Sequence, residues 1–154
     1  MEYSIMDQQQ YIFGSILLLG NKLQSMRNDL FEDMTLKQFI LLIMISKMDK
    51  PSPSVQEIAD YAGSTRQNVK KMLEILEREE YVTIKKSIED KRSFCVTLTE
   101  LCIRYFEQHK DAAEKITNVL FHGMEDRDIA STYKVINILF ENIEKINNTE
   151  GITL

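Results

Sequence analysis

One stretch limits the possible folds of this chain more than any other: "SVQEIADYAGSTRQNVKKMLEILEREEYVTIKKSIEDKRSFCVTL", residues 54–98. Ser54-Val55-Gln56-Glu57 is a capping box, in which Ser and Glu satisfy orphan amides at a helix start. It predicts a short helix through Tyr61. Ala62-Gly63-Ser64 reads as a turn, since Gly63 tolerates positive φ. Ser64-Thr65-Arg66-Gln67 repeats the capping pattern and predicts a helix to about Arg78. The buried face of that helix is Val69, Met72, Leu73 and Leu76, spaced as one stripe. Tyr81–Lys86 and Phe94–Leu98 are strand-like and enclose a charged tip, Glu89-Asp90-Lys91-Arg92. A tight hairpin more usually carries Asn-Gly or Asp-Gly there.

The flanks are helical. A first helix is predicted from about Met6 to Leu30, with Ile12, Ile16, Leu19, Leu23, Met26 and Leu30 in alternating steps of four and three. That is the spacing of a helix–helix seam, and it needs a partner surface. Thr35-Leu36-Lys37-Gln38 is a further capping box, opening a helix from Leu36 to about Met48. Its middle, "FILLIMI", is apolar almost all round and is expected to be buried. "DKPSPS" (Asp49–Ser54) breaks the chain, because proline disfavours helix continuation. After the hairpin, Thr99 caps a long helix over about 100–121, which "HGMEDRD" interrupts. A last helix runs from about Glu125 to Asn147, with Ile129, Tyr133, Ile136, Phe140 and Ile143 again in four–three steps.

The 154 residues suit one compact domain or two small lobes sharing a core. A content of 44% hydrophobic and 28% charged residues argues against global disorder. No apolar run approaches the roughly 20 residues of a bilayer span, and the start Met-Glu-Tyr lacks the basic region of a secretory signal. Cys95 and Cys102 form neither a CxxC pattern nor metal-ligand spacing, so a reducing cytoplasm is expected, with no membrane association. His109 and His122 fall on nearly opposite helix faces and make no metal pair. There is no Gly-rich phosphate loop, nucleophile elbow or His-Glu-x-x-His, so neither an enzyme nor a cofactor is expected. The net charge of −5 runs against a nucleic-acid partner. Its distribution weakens that objection: residues 52–98 carry eight basic and eight acidic side chains, while 99–154 carry six and ten.

Short helix, glycine turn, second helix and hairpin together describe a winged helix-turn-helix within a mainly α (α+β) chain. In such a unit the second helix enters the major groove with its N-terminal side chains toward base edges. Here those are Thr65, Arg66, Gln67, Asn68, Lys70 and Lys71. Arginine can fork onto guanine, and Gln or Asn onto adenine, whereas Lys70 and Lys71 suit phosphates. A hairpin tip is narrow enough for the minor groove, where Arg92 would sense width and negative potential. Asp90 is expected to orient Arg92 or cap the turn, and Lys85, Lys86 and Lys91 to flank it on phosphates. The division expected is 1–48 (N-terminal helices), 52–98 (winged unit) and 99–154 (C-terminal helices).

Residues from about 35 to 102 resemble the MarR family of transcription regulators. The resemblance is carried by "TLKQFILLIMI", "VQEIADYAGSTRQNVKKMLEILEREEYV" and, most specifically, Asp90-Lys91-Arg92 followed by "VTLTE". It implies a homodimeric, sequence-specific DNA-binding regulator on a palindromic operator, most simply a repressor. It also implies that helices from both chain ends form the dimer lobe, which fits Ile12, Ile16, Leu19, Ile129, Tyr133, Ile136, Phe140 and Ile143 as dimerisation residues. Many members release DNA when a small phenolic or other amphipathic effector binds between the lobes. Met26, Met34, Met44 and Met48 are adaptable pocket candidates here, though core packing is the plainer reading. Some relatives sense oxidation through a cysteine near the N-terminal helix, a region without cysteine in this chain. The family usually has glycine where Glu80 and Cys102 stand; each departure can alter a local turn without removing the fold, and at Cys102, where a helix starts, it costs little. The competing reading is a winged-helix protein–protein module with little DNA affinity, favoured by the acid excess.

Overall fold

A computed structural model describes residues 4–25, 34–87 and 92–148 of the chain. Six helices and one hairpin are found among them: α1 (Ile5–Gln24), α2 (Leu36–Lys47), α3 (Val55–Tyr61), α4 (Arg66–Arg78), β1 (Val82–Lys86), β2 (Phe94–Leu98), α5 (Glu100–Leu120) and α6 (Asp126–Asn148). They fall into two compact units, Met1–Lys110 and Asp111–Leu154. The fold is mainly helical with a small antiparallel sheet, as the sequence predicts.

Helix starts in the first unit follow local chemistry. Thr35 and Gln38 form a reciprocal box at α2, and Ser54 and Glu57 form one at α3. A third box, Ser4 with Asp7, starts α1 one residue before the predicted boundary. At α4 the cap is Thr65, whose hydroxyl accepts the Asn68 amide at 3.2 Å, rather than Ser64. Ser64 belongs to the preceding turn, where its N–H bonds the Ala59 carbonyl and closes α3. Thr99 caps α5 as predicted, accepting the Cys102 amide at 3.2 Å.

The core of this unit gathers Phe39, Leu41, Leu42 and Ile45 of α2, Ile58 and Ala59 of α3, Val69, Leu73 and Leu76 of α4, and Val82 and Val96 of the hairpin. Cys102 and Tyr105 of α5 complete it. Tyr105 meets Phe39 and Tyr81 edge-on, with ring centroids 6.4 and 5.2 Å apart, so α5 is keyed to α2 and to the root of the hairpin. Aromatic pairs of this geometry add to plain area burial. His109 stacks on Tyr105 and bonds its carbonyl through Nδ1 at 3.0 Å.

Two expectations need adjusting. The "FILLIMI" run is not buried all round: Ile40 is exposed and Ile43 and Met44 are half-buried. Ile40 lies about 160° around the helix from Leu42, beyond the reach of a core on one side. Met72 is half-buried where its stripe partners are fully buried. Predicted helix residues Met26 and Leu30 lie outside the described residues.

Both ends of the chain carry uncovered apolar side chains. No residue of α1 is buried, and Ile12, Phe13, Ile16, Leu17, Leu18 and Leu19 are all exposed. In the second unit, no residue of α6 through Asn147 is buried. Its stripe residues Tyr133, Ile136, Phe140 and Ile143 are exposed, and Ile129 is half-buried.

Candidate nucleic-acid interface

The winged unit is assembled by backbone pairing. β1 and β2 run antiparallel in the register Val82↔Leu98, Ile84↔Val96 and Lys86↔Phe94. Ser87 N–H continues the ladder to the Ser93 carbonyl at 2.9 Å. On the other edge of β2, Val96 N–H bonds the Pro53 carbonyl at 2.9 Å and Ser54 bridges Cys95, so the loop before α3 lies along the wing. Ser52 and Thr97 hydroxyls meet at 3.2 Å beside it. Thus Pro53, in the break that follows α2, also supplies the acceptor that binds the loop before α3 to the hairpin.

The start of α3 is held firmly. Glu57 accepts the Ser54 amide at 2.6 Å and the Lys50 ammonium at 3.0 Å. The Ser54 backbone N–H first, then the Lys50 and Ser54 side chains, hold the Glu57 carboxyl down at about 2. Lys50 is a partner that the capping pattern alone does not reveal.

α4 then presents the expected side chains. Thr65, Arg66, Gln67, Asn68, Lys70 and Lys71 are all exposed, while Val69, Leu73 and Leu76 anchor the opposite side. Arg66, Gln67 and Lys70 are brought together along a groove of about 630 Å³ between α4 and the wing, whose far wall is Ile84 and Phe94. Asn68 and Lys71 do not line it. Lys70 lies 3.6 Å from Glu74 one turn on, an exposed i,i+4 pair. Such pairs are weak and yield readily to a phosphate. Thr65 uses its oxygen as a cap, which leaves its O–H as a donor. Arg92 is exposed at the foot of β2, and Lys85 and Lys86 are exposed on β1. Asp90 and Lys91 lie outside the described residues, so the orienting role of Asp90 stays an expectation.

A residue that sequence reasoning missed stands at the far end of the same groove. Glu77 Oε1 accepts the Ile84 backbone N–H at 2.8 Å, joining α4 to β1. Its signal was the spacing Arg66, Lys70, Glu74, Glu77, which sets all four on one helical face.

No group of three or more His, Cys, Asp or Glu that could hold a metal occurs among the described residues. None of their helices is long and apolar enough to cross a membrane. Burial pushes the Cys102 thiol up to about 11.

Comparison with known proteins agrees with this geometry. Residues 32–93 match the model of the MarR family. A MarR transcriptional regulator from Methanosarcina mazei Go1 is 24% identical and superposes with a TM-score of 0.78, covering 89% of this chain and 99% of its own. A cysteine-to-serine mutant of MarR from E. coli, solved with operator DNA, is 17% identical at a TM-score of 0.73, with 89% and 99% covered. The PcaV transcriptional regulator from Streptomyces coelicolor, solved with its natural ligand, is 15% identical at 0.63, with 92% and 98% covered. No curated protein sequence gives a match. With its α3–turn–α4–hairpin order, its exposed α4 face and the family match across 32–93, the chain carries a segment similar to the MarR family and has the fold of the solved MarR transcriptional regulators.

Proposed function

We propose that this chain is a homodimeric, sequence-specific DNA-binding transcriptional regulator acting in the cytoplasm, a repressor released by a small ligand. The observation that carries the reading is the exposure of Arg66, Gln67 and Lys70 together beside the wing, on a helix whose opposite face is buried. That is the arrangement a recognition helix requires: base-reading and phosphate-binding donors outside, apolar anchors inside. Lys71 and Asn68, on the neighbouring face, extend the contact to phosphates, and Arg92, with Asp90 and Lys91 before it, serves the minor groove. The role is binding rather than catalysis.

The apolar faces of α1 and α6 support the dimer. Exposed large apolar surface of this extent marks an interaction site, and a palindromic operator calls for a two-fold partner. On this reading residues 1–48 and 99–154 serve dimerisation and support, and 52–98 binds DNA. Ligand release rests on the relatives, of which PcaV was solved with its natural ligand. Met34 is buried and Met44 and Met48 are half-buried, so these three belong first to core packing.

The test is selection of duplexes from a random pool by the full chain, with the winners rebound at two salt concentrations. A two-fold symmetric motif, with half-sites about one helical turn apart and affinity falling steeply with salt, supports the reading. No enriched motif, together with salt-insensitive binding to another protein, favours the protein–protein module that the neutral charge of residues 52–98 would also suit.

A further inference from the structure

We propose that Glu77 is a positioning residue for DNA binding: its carboxylate ties the wing to α4 and so fixes the spacing at which helix and wing meet adjacent grooves. The inference rests on the DNA-binding reading above.

The geometry starts from strand pairing. Val96 N–H points away from β1, to the Pro53 carbonyl. Ile84 and Val96 are opposite one another, and facing residues in antiparallel strands either exchange both bonds or neither. Ile84 N–H therefore also points outward, on the open edge of β1. There it meets Glu77 Oε1 at 2.8 Å.

Where this bond sits matters more than its strength. The root of the hairpin is fixed by Thr99, whose N–H bonds the Tyr81 carbonyl at 3.1 Å and whose hydroxyl bonds the Glu80 carbonyl at 2.7 Å. Those bonds act at the pivot and resist swinging poorly, and the Val96–Pro53 bond ties β2 to the loop before α3 rather than to α4. Ile84 is three residues further along, about 10 Å up the arm at the strand rise. A restraint there opposes rotation of the wing toward or away from α4. It also comes from the helix that reads DNA, so wing angle and helix orientation are coupled.

The same bond accounts for an otherwise unhelpful anion. Glu77 shares its helical face with Arg66 and Lys70 and lines the groove with them. A carboxylate so placed repels phosphate, yet as the acceptor of an edge amide it makes a charge-assisted bond that a neutral side chain makes less strongly.

The experiment compares Glu77→Ala and Glu77→Gln in the full chain. The first readout, hydrogen exchange of the Ile84 amide, needs no DNA. Slow exchange in wild type and Glu77→Gln, and fast exchange at Ile84 in Glu77→Ala, establish the tie. Exchange unchanged in Glu77→Ala overturns the proposal, as does a loss of protection that spreads through the core of the first unit. The second readout is affinity and footprint on the selected duplex. Glu77→Ala is expected to bind about tenfold more weakly, losing minor-groove protection under the wing while keeping major-groove guanine protection under α4. Glu77→Gln, which keeps an acceptor and sheds the charge, is expected to bind at least as well as wild type. Tighter binding by both variants alike would make Glu77 a mere repelling charge and overturn the proposal. If wild type binds no duplex, it is the DNA reading that fails, and the Ile84 amide still decides whether the tie exists.

Discussion

Gly63 and Glu80 occupy the same position in two successive helix ends. Gly63 follows the last residues of α3 with φ +57°, and Glu80 follows those of α4 with φ +62°. In each case the next amide reaches back across the turn: Ser64 N–H to the Ala59 carbonyl at 3.0 Å, and Tyr81 N–H to the Leu76 carbonyl at 2.8 Å. The bonds that span three residues match too, Gly63 N–H to the Asp60 carbonyl and Glu80 N–H to the Glu77 carbonyl. Both are Schellman endings, in which the left-handed residue is usually glycine. At α4 the buried pair Leu76 and Tyr81 and the Thr99 bond to the Glu80 carbonyl hold a glutamate in that conformation.

Glu80→Gly is therefore expected to stabilise the protein. The left-handed region disfavours a side chain by about 1–2 kcal/mol, and the added chain entropy of glycine offsets roughly half of that. A net gain of about 0.5–1 kcal/mol should move the urea midpoint upward at unchanged slope. The bonds at this turn involve only the backbone of Glu80, so they survive the change. Gly63→Ala should shift the midpoint the other way. A lower midpoint for Glu80→Gly would show that the glutamate side chain contributes something its φ angle conceals.

The sequence was readable where structure is local and opaque where it is not. Capping boxes at Thr35 and Ser54 depend on residues three apart, and both form. At α4 the cap is Thr65 rather than Ser64 because the helix's first bond runs from the Val69 N–H to the Thr65 carbonyl, a boundary that no four-residue pattern encodes. The first strand likewise begins at Val82 rather than Tyr81, because the Tyr81 N–H belongs to the end of α4. At the candidate interface, helical phase alone places Arg66, Gln67 and Lys70 on the outer side of α4, opposite its apolar anchors. That Glu77 rather than Lys71 shares their groove depends on where the wing folds back, and nothing in α4 specifies that.

Acid should weaken the start of α3. The Glu57 carboxyl sits at about 2 in the folded chain against an ordinary 4.5. Because the folded value is the lower one, the stabilisation is fully present above about 4.5 and is lost as pH falls toward 2. Glu57 is partly exposed, so solvent screening keeps the effect near the size of a helix cap, about 1 kcal/mol or less. Glu57→Gln keeps an acceptor for the Ser54 amide but loses the Lys50 pairing. Thermal unfolding should show the variant below wild type at pH 7 and the two converging near pH 2. A gap that widens in acid would refute the assignment.

Cys102 should be chemically silent in the folded protein. Buried and with its thiol pushed up to about 11, it holds only about one thiolate in a thousand at pH 8. Iodoacetamide followed by mass mapping is expected to label half-exposed Cys95 first and Cys102 only after unfolding. Prompt native labelling of Cys102 would mean that α5 opens at its first turn, and would reopen oxidation sensing there.

On the DNA-binding reading proposed above, α4 separates reading from holding. Arg66 and Gln67 line the groove beside the wing, and Lys71, on the neighbouring face, does not. A forked contact from Arg66 or Gln67 discriminates one base from another by about 1–3 kcal/mol, whereas a lysine on phosphate adds affinity without regard to sequence. Arg66→Ala or Gln67→Ala is thus expected to flatten the ranking among selected duplexes, and Lys71→Ala to lower all of them equally and reduce the salt slope by about one. Arg92→Ala should weaken binding by about 1–3 kcal/mol with its effect at the site's flanks, where a minor-groove arginine senses width. Binding of each variant to the best duplex and to single-base changes in it decides the matter. If Lys71→Ala altered the ranking while Arg66→Ala did not, α4 would have to present its other face to the bases, and the groove beside the wing would lie over phosphate instead.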